Sequence, residues 1–484
     1  MSVISEAYGV FAQLAPSEAS TPVSTDTNLI FIGASPSGTV NEPVIITSMS
    51  DYAAKLGGAA GDGYNLTEAA IACFQIAGLA KAYFIPVSNS KIFNAEDYIG
   101  SASHLSGVYA IENLLRQNPT AVNLICAPSV SDSEVIAAIK GICQLADGHW
   151  QSYFIYDLPQ SMDQIPGGYG IPYLQQIYDD KTISTEYGSA VWGNCKTSGG
   201  YSISGAAVRA ALMAKSDADY GVPARVGGNL PIDGITGIVL NYDGDSVTHN
   251  AVIGSGSHVK FTITESGFTD YSGLAYVVCL ISENGGTPVS HAEYRQFENG
   301  SCFSSYPTND LTSPSITSST VILPVEEKVQ LSEADATSLS ANGICSWINY
   351  GGGNWHTWGD HTSAFSNGSI SEERGRFENT IRMNQMVANR FQLKYRFEID
   401  DPMTLGMRNA VINEQLDYLN GLVAVGALIG EPVVEFRPAE NPVDNVAQGR
   451  FVFYMADTPT IPAKYMNMKV AYVSTGLSVY YTEE

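Results

Sequence analysis

The chain has 484 residues, with 49 acidic and 24 basic side chains and a formal net charge of −25. That balance disfavours nucleic acid and anionic membrane as partners, and the length exceeds what one hydrophobic core serves, so several domains are expected. Hydrophobic residues make up 44% and charged ones only 15%, with 27 Tyr and 46 Gly, which describes a globular chain of strands and turns whose weakly charged, Tyr-rich surface suits subunit contacts.

Residues 1–24 hold an apolar strand candidate, Tyr8 to Leu14, and a Pro/Ser/Thr-rich leader, read together as an extended N-terminal arm. An α/β subdomain follows over 25–100: strand 28–33, a Ser35-Pro-Ser-Gly38 turn, strand 43–47, helices 48–56 and 66–80, and strand 82–87. From about residue 105 strands and helices alternate: strand 121–127, helix 132–145 with Val135, Ile136, Ile139 and Ile142 on one face, strand 152–157, helix 203–215. This rhythm predicts a parallel sheet covered on both faces, over 101–236 and again over 323–370. Between these halves, 237–322 reads as short β runs (238–242, 259–263, 274–280) separated by turns, an inserted all-β sandwich or barrel. A helix over 332–340 and an aromatic segment, Trp347 to Trp358, complete the second half.

The C-terminal part, 371–468, reads as an α+β domain. Its first helix, 371–391, has Phe377, Ile381, Met386 and Val387 on one face; a second runs over 401–419, and strands over 433–436, 449–455 and 467–481. Chain ends are normally frayed and polar, so an apolar strand there asks for a partner, and 469–484 is read as a C-terminal arm.

Charge follows the same division. Residues 1–370 carry 13 basic against 34 acidic side chains, net −21, and 371–484 carry 11 against 15, net −4. The local exception is Arg374, Arg376, Arg382, Arg390, Lys394 and Arg396. A run of this kind suits an acidic protein partner; a solvated helix face balanced by Glu372, Glu373 and Glu378 accounts for it equally well. The seven scattered cysteines, with no CxxC pair, read as reduced buried thiols of an intracellularly made protein. The first residues lack the basic and apolar regions of a secretory signal, and no apolar run nears the roughly 18 residues that span a bilayer, so no membrane insertion is expected.

Catalytic chemistry is sparse. His356, Asp360 and His361 are too irregularly spaced for the helical HExxH geometry and read as a packed aromatic loop. Asn241-Tyr-Asp243-Gly-Asp245 has the oxygen density of a calcium loop, but its Gly falls too early and the bidentate Glu is missing, so it reads as a turn. No GxSxG, P-loop or GxGxxG occurs. No catalytic, metal or cofactor residues are assigned, and no enzyme is expected. Two competing classes remain: an α/β hydrolase-like enzyme assembled from distant residues, and a glycan-binding surface protein whose β insert does the binding.

Three blocks carry a resemblance. They are Asn28–Tyr52 with Ala82–Val87; Ser216-Asp-Ala-Asp-Tyr-Gly-Val-Pro-Ala224; and Asp444…Ala447-Gln-Gly449…Phe453…Pro459…Pro462-Ala463. In order and spacing they resemble the tail sheath proteins of contractile phages, phage-tail-like bacteriocins and contractile injection systems. Residues 237–322 match nothing in that family's core, and Lys464-Tyr465 stands where an acidic residue is commoner. The resemblance implies a subtilisin-like α/β sheet without catalytic residues, an α+β C-terminal domain, a variable inserted domain, and arms that add strands to neighbouring subunits. It implies a helical homo-oligomer of six-fold rings around a tail tube, with baseplate and tail-terminator proteins as further partners. Such a sheath is assembled in the bacterial cytoplasm, becomes part of a virion or phage-tail-like particle, and contracts to drive the tube through a cell envelope. The inter-subunit positions are then Tyr8, Val10, Phe11 and Leu14 at one end and Val470, Tyr472, Leu477, Val479 and Tyr481 at the other. The six cations from Arg374 to Arg396 become candidates for tube contact.

Overall fold

The computed structural model describes residues 27–144, 150–159, 161–162, 171–249, 251–253, 258–263, 275–283, 289–295, 301–307, 314–329, 331–475 and 477. The expected positions Tyr8, Val10, Phe11, Leu14, Val479 and Tyr481 lie outside these residues.

The organising element is a nine-stranded sheet. Its parallel centre consists of β1 (Thr27–Ala34), β3 (Ala82–Ser88), β4 (Val122–Ala127), β5 (Tyr153–Asp157), β7 (Gly188–Val191) and β18 (Ile344–Asn349). Antiparallel strands close its edges: β2 (Val44–Ile46) on one side, β19 (Trp355–Trp358) and β10 (Pro231–Ile232) on the other. The strand order is β10-β19-β18-β7-β5-β4-β1-β3-β2. Alternation along each strand divides the core into two faces. Leu29 and Phe31 of β1, with Leu124 and Tyr153, pack under α1 (Met49–Leu56), α2 (Asn65–Ile71) and α7 (Gly205–Tyr220). Ile30 and Ile32, with Ile125 and Phe154, pack under α3 (Ala95–Ile99), α4 (Tyr109–Gln117), α5 (Ser133–Cys143), α6 (Ile171–Asp180) and α8 (Glu333–Ala341).

Helix starts follow side-chain capping. Asp132 caps α5, Ser204 caps α7, and Ser332 with Asp335 closes a capping box on α8. Gly221 (φ 76°) ends α7 in the left-handed conformation that glycine adopts without penalty. The expected helix 66–80 is instead α2 followed by a π-helical turn over Ala72–Ile76.

A second sheet of seven strands begins on β6 (Ser161–Met162), β8 (Asn194–Thr197) and β9 (Ser202–Ile203). It continues through two long strands, β11 (Ile235–His249) and β17 (Pro314–Val329), paired from Ile238↔Val329 to His249↔Ser319. Of the expected short runs of 237–322, that over 238–242 thus belongs to a long antiparallel ribbon, and that over 259–263 to a separate three-stranded sheet. The described residues between its strands form β12 (Ala251–Ile253), β13 (His258–Ile263), β14 (Ala275–Glu283), β15 (Val289–Arg295) and β16 (Ser301–Pro307).

The C-terminal module is built from α9 (Glu378–Tyr395), α10 (Leu405–Ala424), the antiparallel pair β20 (Val433–Glu435) and β21 (Tyr454–Ala456), and α11 (Val443–Ala447). Met383, Met386, Val387, Leu419, Leu422, Leu428 and Val434 form its small core. The first helix starts seven residues later than its sequence pattern predicts. Phe377 is extended (φ −110°, ψ 141°), bridges His361 and stacks on its ring at 5.2 Å, so the preceding chain makes only a 3₁₀ turn, Glu373–Gly375.

Polar contacts fix this module on the parallel sheet beside the apolar ones that Ala121, Val122 and Val222 make with its core. The Arg209 guanidinium in α7 donates to both Glu378 carboxylate oxygens at 3.0 Å and to Gly359 O at 2.8 Å. Glu378 accepts further bonds from Ser189 Oγ (3.1 Å) and Gly227 N. About one turn along α9 and two along α7, Arg382 pairs with Asp217, which also accepts from Thr27 Oγ1 at 3.2 Å. Next on α9, Gln385 donates to Ser152 O at 2.7 Å, and Asn389 donates to Ala121 O (3.1 Å) and Gln151 O (2.8 Å) while accepting from Gln151 N (2.9 Å). All of these α9 side chains are buried. Breaking a buried ion pair leaves an uncompensated charge, so Glu378→Gln is expected to destabilise the chain by about 3–5 kcal/mol. Denaturant unfolding followed by circular dichroism checks this; a loss below about 1 kcal/mol, the value of an exposed pair, would contradict it.

Candidate assembly interface

The expected C-terminal strand is absent among the described residues. Residues 460–473 have no regular secondary structure and make no ladder. The segment lies on the surface: Tyr465, Met466, Met468, Val470 and Tyr472 are 81–87% exposed, and Val473 and Leu477 are also exposed. The physical reason is the strand's own requirement. A β ladder satisfies its backbone groups only against another strand, and among the described residues this segment pairs with none. Its apolar side chains nonetheless alternate, with Met466, Met468, Val470 and Tyr472 separated by Asn467, Lys469 and Ala471. This is the pattern of a strand with one face to bury.

The chain leaves the module through a pinned stretch. Ile429 N donates to Thr458 O at 2.8 Å, and Thr460 donates its N–H to Ala427 O (3.1 Å) and its hydroxyl to Gly426 O (2.7 Å). Beside it stands the β20–β21 pair, two strands of three residues whose outer edges carry no further strand among the described residues. Val433 and Val452 are exposed next to it.

The six expected cations do not form one face. Arg374 lies on the 3₁₀ turn, bonded to Glu186 and Glu372 at 2.9 Å, and Arg376 follows it, bonded to Glu373 at 2.8 Å. Arg382 is a correction: it is 2% exposed and holds Asp217 inside the protein, so it presents no charge to a partner. An amphipathic pattern cannot reveal this, because it assumes that the charged side of a helix faces water. The exposed members are Arg390, its guanidinium 3.9 Å above the Tyr418 ring; Lys394, 2.6 Å from Glu414; and Arg396, 4.5 Å from the Phe397 ring. They lead to the α9–α10 turn, where Phe397 and Ile399 are 78% and 74% exposed.

A second polar cluster escapes sequence reasoning because its members lie far apart in the chain. At the carboxyl ends of the parallel strands, Asp157 accepts from Ser204 Oγ (2.5 Å), Ala206 N (2.9 Å) and Ser129 N (2.8 Å). Glu68 accepts from Ser129 Oγ (2.6 Å) and Ser204 N (2.9 Å). Two carboxyl groups thus share two serines, one of which, Ser129, sits at φ 55°, unusual for a residue with a side chain. Glu68 also lines a cleft of about 280 Å³ with Asp62, Lys196 and Tyr201. Crevices at this end of a parallel sheet are where α/β enzymes work. Here the Ser204 hydroxyl is fully buried and already engaged, donating to Asp157 and accepting from Ala207 N. The cluster therefore acts as a polar staple between the α7 N-terminus, α2 and the turn after β4.

Burial pushes the Glu68 carboxyl up to about 7 and Asp157 up to about 6, with the hydrogen bonds opposing it in both. A raised carboxyl binds a proton that the unfolded chain releases above its ordinary value of 4.5 or 3.8. The stabilisation is complete below those values and lost as pH rises through about 6–7. The chain is expected to melt at a higher temperature at pH 5.5 than at pH 8, and Glu68→Gln should shrink that difference. Thermal unfolding at both pH values would expose an error here if the variant kept the full difference.

No protein-family model and no curated protein matches the chain. Among solved structures it is similar to the sheath complex of an extracellular contractile injection system, PVC, in the contracted state. That likeness covers 98% of this chain and 100% of the other at 12% identity, with a TM-score of 0.57. It is similar also to the helical sheath of the anti-feeding prophage in its contracted state (97% and 99% covered, 13% identity, TM-score 0.57) and to a chain of that particle's baseplate (97% and 100%, 13%, 0.56). The parallel-centred α/β body, the strand-only stretch and the helical C-terminal module described above together have the fold of contractile injection-system sheath proteins.

Proposed function

We propose that this chain is a structural sheath subunit. It polymerises helically around a tail tube, its neighbours are linked by donated strands, and the array contracts to drive the tube through a target envelope. The observation that carries this reading is the exposed alternating segment 465–473 beside a short, open β pair. An isolated two-stranded sheet is marginal in water, while main-chain pairing with an added strand supplies affinity and the alternate side chains supply register. In this reading Met466, Met468, Val470 and Tyr472 face a neighbour's sheet, Leu477 supplies a further apolar side chain to it, and Val479, Tyr481 and the N-terminal Tyr8, Val10, Phe11 and Leu14 do the same from outside the described residues. The body corresponds to a subtilisin-like domain (101–236 and 323–370) following an N-terminal subdomain (25–100), and 237–322 to an outer inserted β domain. Residues 371–468 correspond to the sheath core, with arms over 1–24 and from 469 onward.

Rings of six, a tube, a baseplate and a tail terminator are the partners this reading implies, in a particle assembled in the bacterial cytoplasm. Tube contact falls to the exposed end of α9, Arg390, Lys394 and Arg396, with Arg374 and Arg376 at the module's edge. Contraction then needs no nucleotide, since subunits exchange one set of interfaces for a larger one. A non-enzymatic role accords with the buried, fully engaged Ser204 hydroxyl.

Negative-stain microscopy of the purified chain should show helical tubes. Val470→Asp combined with Tyr472→Asp should give soluble, folded monomers with unchanged circular dichroism, because both side chains are exposed in the single chain. Tubes formed by that variant would overturn strand donation, and persistent monomers of the natural chain would overturn the sheath reading.

Charge reversal separates the two kinds of arginine on α9. Arg390→Glu should leave unfolding little changed and weaken assembly on tubes, whereas Arg382→Glu should unfold the module by placing a second carboxylate against buried Asp217. Unfolding curves of both variants, with tube co-assembly of the first, check this; a stable Arg382→Glu protein would refute it.

A further inference from the structure

Among the described residues, the last contacts that the C-terminal chain makes with the body are those of Thr460 and of the Lys464 side chain. Residues 457–464 form a strap. Besides the bonds of Thr458 and Thr460 to the end of α10, Thr460 O accepts from Asn379 Nδ2 of α9 at 2.8 Å, and Pro459 bridges Leu428. The strap ends where Lys464 Nζ reaches Asp360 Oδ1 at 2.5 Å. Over residues 465–475 the side chains stand in solvent.

This ion pair is lopsided. The Lys464 side chain is 44% exposed, but that of Asp360 is 6% exposed. The other titratable group against Asp360 is His361, its Nδ1 3.4 Å from Oδ1. Burial, together with Lys464 and Arg376, lowers the His361 pKa to about 4, and its ring stacks on Phe365 at 3.9 Å. Near neutral pH the cation in contact with the Asp360 carboxylate is therefore Lys464. An exposed ion pair contributes little, whereas removing the partner of a buried carboxylate leaves a charge with no compensation. Asp360 also sits on the loop that the buried clamp uses, since Gly359 O accepts from Arg209 and Asp360 O accepts from Glu378 N at 3.1 Å.

We propose that Lys464 and Asp360 form a clasp that holds the strap to the α/β body and fixes the point from which the tail departs. Resting on the sheath reading, the clasp would route a pull on a donated tail into the Arg209–Glu378 loop, where otherwise it would peel the strap from α10.

Hydrogen exchange on the unpolymerised full-length chain tests the clasp separately from assembly. Lys464→Met should raise exchange across peptide 457–464 and at Ile429 by about tenfold while leaving β1 and β4 unchanged. Lys464→Arg should stay close to the natural chain, and Asp360→Asn should loosen the same peptide. Unaltered exchange in Lys464→Met, or loosening spread evenly through the body, would overturn the clasp whether or not the natural chain forms tubes. Tube formation without strap protection would likewise sink the clasp and leave the sheath reading standing.

Discussion

Two buried arginine–carboxylate pairs set the geometry of this protein. Charges are tolerated inside a fold only when paired and hydrogen-bonded, and Arg209–Glu378 and Arg382–Asp217 meet that condition only when α7 and α9 lie side by side in one register. Because α7 is itself buried under the parallel sheet, α9 inherits the orientation of the body. The rest of the C-terminal module follows from α9: its small core, the short β pair, the strap and the direction in which the tail leaves. A purely apolar contact could slide by a turn at modest cost, whereas this one leaves an unpaired buried charge at any other register.

Two sets of polar side chains on α9 divide the work. Toward its start Glu378, Arg382, Gln385 and Asn389 are consumed by the body. Toward its end Arg390, Lys394 and Arg396 lie open on aromatic rings or a surface carboxylate. One helix thereby serves as an internal tie and as external surface, and the changeover falls within a single turn between Asn389 and Lys394.

Much of the body was legible in the sequence. The strands 28–33, 82–87, 121–127 and 152–157 and the capped helices around 49–56 and 133–143 announce themselves by apolar runs and by Ser or Asp at the caps. Local patterns of this kind are dictated by nearby residues. The start of α9 was not legible, because Phe377 is held extended by His361, far from it in the helical pattern. Nor was the burial of Arg382, whose partner Asp217 is 165 positions away, nor the serine-bridged carboxyls, which come from four separate segments. The tail reverses the case. Its alternation predicts a strand, yet residues 460–473 carry no regular secondary structure in the single chain, and the proposed donation would supply the missing ladder from a neighbour.

The ribbon of β11 and β17 has a consequence for how this chain can change. Ile238 and Val329 are already partners in the sheet, so the chain leaves the body and returns to it at adjacent points. The entropy of closing the intervening loop grows only with the logarithm of its length. Residues between the ribbon's outer ends can therefore be lengthened, shortened or exchanged at a cost that barely reaches the parallel sheet. A lineage of such proteins could vary this stretch quickly while the arginine clamp stays under strict constraint.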